Sequence, residues 1–174
     1  MHGRKQRGQS VIEFALAAPV LIFMMLAGFS VTVMVSDKVI AGYACRQGAR
    51  LASEIGGQQT NPNVTTAQVD ADIVKNVLAV AKAMNYSSLA EIDIYSPTRA
   101  DGQYQPGDLL DRFHGDGSSW GVATFTLAQR KQIPPQETSL GVRLLWQYNP
   151  PTGLAAFNVN LSEYAVMKES PVLL

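Results

Sequence analysis

The apolar positions of this chain change their spacing twice. From Val11 to Val35 they are almost unbroken, 25 residues carrying a single charge at Glu13. As a helix rising about 1.5 Å per residue, that run is roughly 37 Å long, enough to cross a hydrocarbon core of about 30 Å with some tilt. The helical pattern then continues, with Ile40, Tyr43, Ala44, Gln47, Leu51 and Ile55 recurring every three or four residues. Gly56-Gly57 is a stop signal. One helix from about Ser10 to Ile55 is therefore predicted, apolar over 11–35 and amphipathic over 36–56. Arg50 and Glu54 add an i,i+4 pair worth a few tenths of a kcal/mol. Pro19 lies inside the apolar run, where a proline costs about 3 kcal/mol in an ordinary helix. Local adjustment or neighbouring helices reduce that cost in a membrane, so a kink or locally opened turn is expected near Phe14–Pro19.

After a linker at Gln58–Asn63, Thr65 with Gln68 forms a capping-box signature. Val69, Ile73, Val77, Val80 and Met84 share one face of a second helix, predicted over about Thr66–Met84. Asp70 and Asp72 are expected to favour the positive end of its dipole. Beyond Asn85 the period becomes 2. Ile92 and Ile94 mark a short strand ending at Ser96-Pro97, and Thr98–Trp120, rich in Gly, Asp and Ser, reads as a long loop. Val122–Ala128 and Leu140–Tyr148 are further strand candidates; the second places Leu140, Val142, Leu144, Trp146 and Tyr148 on one face. Asn149-Pro150-Pro151-Thr152-Gly153 is turn chemistry, and Phe157, Val159 and Leu161 lead into a last strand ending near Met167. The predicted fold is α+β: a long amino-terminal helix, then a head (57–174) of one helix on a three- or four-stranded antiparallel sheet.

Charge refines this picture. The 174 residues carry 14 basic and 14 acidic side chains, but Arg4, Lys5 and Arg7 all precede Gly8. Without those three, 11 basic residues face 14 acidic ones. A basic segment before the apolar run and an acidic body after it orient the amino terminus toward the cytoplasm and the head outside. No basic patch suits a nucleic acid. Cys45 is the single cysteine, which excludes an intramolecular disulfide and a cysteine metal cluster. It also lies too far past the apolar run for signal-peptide processing, and packs more simply as a small apolar residue. The N-x-S/T triplets at Asn63, Asn85 and Asn160 carry little weight alone. His114, in Asp111-Arg112-Phe113-His114-Gly115-Asp116-Gly117, is the one histidine of the body; its surroundings match no calcium or zinc spacing. No nucleophile elbow, phosphate loop or Cys/His pairing is present, so no catalytic residue, metal or cofactor is expected.

Gly8 and Glu13 carry the remaining chemistry. A carboxylate inside an apolar helix is expensive, by about 2.5 to 3.5 kcal/mol for Asp at a membrane's centre and less near its edge, and it wants a partner. Cleavage after Gly8 would give Gln9 a positive α-amino group one helical turn from Glu13. In a bundle the same carboxylate can pair with a neighbour's new amino group and so set register. Without cleavage it can snorkel to the headgroups. Residue physics leaves these three open.

The run Gly8-Gln9-Ser10-Val11-Ile12-Glu13-Phe14 behind a basic leader resembles the processing motif of type IV prepilins and pseudopilins. Its extension through Ala15-Leu16-Ala17-Ala18-Pro19 resembles the TadE-like pseudopilins of tight-adherence (Flp-type) pilus systems, with the TadF-like proteins a similar group. Arg46-Gln47-Gly48-Ala49-Arg50-Leu51-Ala52 and Tyr164–Pro171 agree with that family, which usually has Arg at the place of Lys168. The resemblance implies a non-catalytic minor pilin. Residues 1–8 would be a leader removed between Gly8 and Gln9 by a prepilin peptidase. Glu13 would be the assembly carboxylate, with Phe14 beside it and Pro19 kinking the helix. The implied partners are that peptidase, other pilins and pseudopilins through the helix, the Tad secretion machinery with its ATPase, and the lipid of a bacterial inner membrane. The contrasting expectation is a single-pass envelope-binding domain, neither cleaved nor part of a pilus.

Overall fold

The computed structural model describes residues 3–57, 63–131, 138–151 and 159–168, with side chains from Ser10 onward. Residues 58–62 of the linker, Thr152 and Gly153 of the expected turn, Phe157, and 169–171 of the last motif lie outside the described residues. Helix α1 runs from Gly3 to Ile55 and α2 from Thr66 to Ala81. Four strands follow: β1 (Ser87–Ser96), β2 (Leu109–His114), β3 (Ser139–Tyr148) and β4 (Val159–Lys168). They form one antiparallel sheet in the order β2-β1-β3-β4. The α+β architecture is as expected, with α2 and the carboxyl-terminal half of α1 covering one face of the sheet.

The long helix is continuous through Pro19. Its lower part is bare, and its upper part forms the spine of the head. The buried face differs from the stripe read from larger side chains, because Tyr43 is exposed and Ile40, Leu51 and Ile55 are half-buried. The fully enclosed residues are Ala41, Ala44, Cys45, Ala49 and Ala52. Small side chains win this face because α1 lies close to both the sheet and α2. A Cβ on Gly48 would run into the Val77 side chain and come within 3.3 Å of Val142 Cγ1. Cys45 packs as expected, and its Sγ donates to the Glu163 carbonyl at 3.3 Å. Burial pushes its thiol up to about 12.

α2 begins at the predicted capping box: Thr65 Oγ1 accepts from the Gln68 N–H, and Gln68 Oε1 accepts from the Thr65 N–H. Val69, Ile73 and Val77 face the core with Val74 and Ala81. Asp70 does not serve the helix dipole. It sits one turn inside the helix, enclosed, and takes a bidentate contact from Arg130 at 2.7 and 3.0 Å. Arg130 also donates to Asp111 Oδ2 (3.2 Å) and to the Phe125 and Gly56 carbonyls, and its guanidinium lies over the Phe125 ring. One buried cation thus ties the end of α1, α2, β2 and the 125–130 segment together.

Two assignments change. The long loop expected over Thr98–Trp120 contains β2, whose inward positions are Asp111 and Phe113. An inward aspartate breaks the apolar alternation that marks a strand, and it is tolerated because Arg130 and the amides of Thr124 and Phe125 satisfy it. The strand expected over Val122–Ala128 is instead a turn followed by a short 3-10 helix, Leu127–Gln129. Phe125 and Leu127 are buried, Val122 is exposed, and the segment caps the buried ion pairs rather than joining the sheet. β1 is also longer than expected, starting at Ser87 through a bulge at Leu89/Glu91.

Candidate functional site

The sequence directs attention to the amino-terminal half of α1, and the structure leaves that half outside the head. From Ser10 to Phe29 every residue is exposed or half-exposed. Val11, Ile12, Phe14, Leu16, Val20, Leu21, Ile22, Phe23, Met24 and Met25 all stand more than half open. Among the described residues this is the one helix long and apolar enough to cross a membrane, and only 6 % of its most apolar window is buried inside the protein. A soluble core helix of this composition would be enclosed. Such a segment is consistent with membrane anchoring.

Gly8 and Gln9 lie within α1, and their side chains are outside the described residues. Glu13 and Phe14 are both exposed on this arm, one turn above Gln9, and Pro19 follows in the same continuous helix. Glu13, Phe14 and Pro19 stand apart from the core cluster of the head, which gathers α1 residues from Val33 upward. Their placement makes the arm available to lipid or to other helices.

The junction between arm and head was not visible in the sequence. Packing starts at Ser30, five residues before the apolar run ends at Val35. The Tyr148 hydroxyl donates to the Ser30 carbonyl at 2.7 Å, and Val33 and Met34 pack against the core. Two turns on, Asp37 is buried and accepts three hydrogen bonds from the segment after α2: Asn85 N–H (3.3 Å), Tyr86 N–H (3.2 Å) and Ser87 Oγ (2.6 Å). A carboxylate just past an apolar run reads as the polar edge of a membrane span. Here it is a clasp between helix and head, and only the fold brings residues 48 to 50 positions apart together. Lys38 beside it bridges to Glu163 of β4 at 3.5 Å.

His114 is exposed at the end of β2, stacked on Trp120 at 4.7 Å between ring centroids. No group of three or more His, Cys, Asp or Glu side chains among the described residues is placed to hold a metal ion. Asp70 and Asp93 are the acids most displaced from ordinary behaviour. Burial raises Asp70 to about 6; the neighbouring carboxylate Asp111 adds to the rise and Arg130 opposes it. Burial likewise raises Asp93 to about 6, with Glu91 beside it opposing the pull of Arg143. Both belong to ion-pair networks that join elements of the head.

No curated protein and no solved structure matches the chain. A match to the family described as TadE-like protein covers residues 8–50. That stretch begins at the glycine before Gln9, takes in the exposed arm and Asp37, and ends beside the enclosed Ala49; over this part of the helix the chain is similar to the TadE-like family.

Proposed function

We propose that this protein is a pseudopilin of a tight-adherence pilus: a non-catalytic subunit, processed between Gly8 and Gln9 by a prepilin peptidase and held in a bacterial inner membrane by α1. The TadE-like family is pilus-associated, which supports the pilus role. The observation that carries the reading is the bare apolar arm with Glu13 near its start, inside the family match. A helix of that kind suits surroundings that are apolar and that accommodate a carboxylate. A bundle of like helices with free α-amino groups provides both. The membrane stores the helix until the filament takes it up, with the secretion ATPase supplying the work. The head, interlocked by Arg130 and by the Asp37 clasp, is carried outside as a rigid body.

The test is Glu13→Ala in the native cell, following both membrane insertion and recovery of the protein, or of the pilus it supports, in the sheared surface fraction. Insertion is expected to persist while assembly is lost. Normal assembly by the variant would overturn the role of Glu13 and favour an anchored envelope-binding domain.

A further inference from the structure

The apolar run and the part of it that is bare on all sides are of different lengths, and the difference places the head. Ser10–Phe29 is twenty residues, or about 30 Å of helix, which equals the thickness of a hydrocarbon core. From Ser30 upward the head covers one face of the helix, while Val31 and Val35 on the other face stay about half exposed. If the full 11–35 run filled the hydrocarbon, six more residues, about 9 Å, would carry polar groups of the head into lipid. Those groups include the Asp37 clasp and Asn149, whose N–H donates to the Tyr86 carbonyl. Polar groups in that position cost several kcal/mol each if their partners are lost, against about 0.8 kcal/mol for each methylene gained. The head therefore stops the helix at Ser30.

We propose that the arm-side end of the head is a phospholipid-contacting surface, seated in the headgroup layer of the outer leaflet. This inference rests on the membrane-anchored reading above and adds where the head sits. Tyr148 reaches Ser30 with its own side chain, so its strand neighbours Ser87 and Val159 lie within one tyrosine's length of that level. A headgroup layer is roughly 5 to 7 Å deep on each side. Two side chains flanking Tyr148 suit that layer. Tyr86 is 40 % exposed, an aromatic ring with a polar tip, the type enriched at membrane interfaces. Val159, 39 % exposed, offers an apolar contact on the other side. Lys82, exposed at the end of α2 three residues before Asn85, supplies a cation for lipid phosphate. The occupant is lipid rather than a protein partner because this surface is continuous with the exposed apolar arm, through Val31 and Val35, and begins where the head first covers the helix.

The test uses the full chain in phosphatidylcholine/phosphatidylglycerol vesicles with a nitroxide on one introduced cysteine; Cys45 is enclosed and its thiol raised to about 12, so it stays unlabelled. Positions are Phe29→Cys in the arm, Tyr86→Cys and Val159→Cys at the proposed surface, and Gln103→Cys, exposed beyond the far end of β1. Collision with a water-soluble nickel complex and with oxygen reports depth. The expected result is a label at 29 in the hydrocarbon, and labels at 86 and 159 several-fold less accessible to nickel than the label at 103. If 29 is in the hydrocarbon while either 86 or 159 is as accessible as 103, the proposed surface is wrong and the anchoring stands. If 29 itself is open to nickel, anchoring fails and the surface falls with it.

Discussion

Asp37→Ala is the substitution that most directly tests how helix and head are coupled. The carboxylate accepts three hydrogen bonds, and hydrogen bonds to a charged group contribute about 1.5 to 3 kcal/mol each. The simple sum overstates the effect. Asn85 and Tyr86 are exposed residues whose freed amides find water, and deleting the carboxylate also relieves its own desolvation. A net loss of about 3 kcal/mol remains, equivalent to a fall in Tm of roughly 10 °C for a chain of this size. Asp37→Asn keeps one acceptor oxygen and is expected to cost about half as much. The assay is thermal unfolding in detergent micelles, paired with amide hydrogen exchange. Exchange should rise at Asn85 and Tyr86 well beyond any rise at the centre of β3. A Tm within about one degree of the parent, or unchanged exchange at those two amides, would show that the clasp does not hold the head to the helix.

Arg130→Met leaves Asp70 and Asp111 enclosed without their cation and is expected to cost about 3 to 5 kcal/mol by denaturant unfolding; adding Asp70→Asn should restore part of it. Gly48→Val forces a side chain between α1 and Val77, with an expected loss of about 2 to 3 kcal/mol, whereas the same change at Gly28, where an added Cβ meets nothing within 4 Å, should leave head stability unchanged. Because burial raises Asp70 and Asp93 to about 6 from 3.8, their folded forms hold protons that the unfolded chain has released. These two groups therefore add stability as pH falls from about 7 toward 4, and the addition is lost again as pH rises through 6. A Tm profile over that range should rise toward acid in the parent and flatten in Asp93→Asn; a parent profile that falls steadily below pH 6 would contradict the assignment.

The sequence revealed those elements whose burial follows from large apolar residues in a clean period. The α2 face from Val69 to Val77 and the inward row Leu140–Tyr148 of β3 are of that kind, as is the length of α1. It misled where the interior is small or charged. Alanines, Cys45 and Gly48 carry no strong hydrophobic signal, so the periodic stripe of larger side chains runs through Tyr43 instead of the close-packed face. β2 was hidden because its inward positions include Asp111, which is acceptable only beside Arg130, nineteen residues away. The same long-range chemistry concealed the clasp, since nothing near Asp37 announces that residues 85–87 will reach it. The arm was legible because its signal is entirely local: leader, glycine, glutamate and apolar run lie within one continuous stretch.

Glu13 and the arm matter for assembly in the proposed way only if the leader is removed. The intact mass of the protein purified from its own cells, with the prepilin peptidase present, tests this most directly. A chain beginning at Gln9 is expected, and deletion of the peptidase should restore residues 1–8. A mature protein that retains residues 1–8 beside an active peptidase would contradict the pseudopilin assignment.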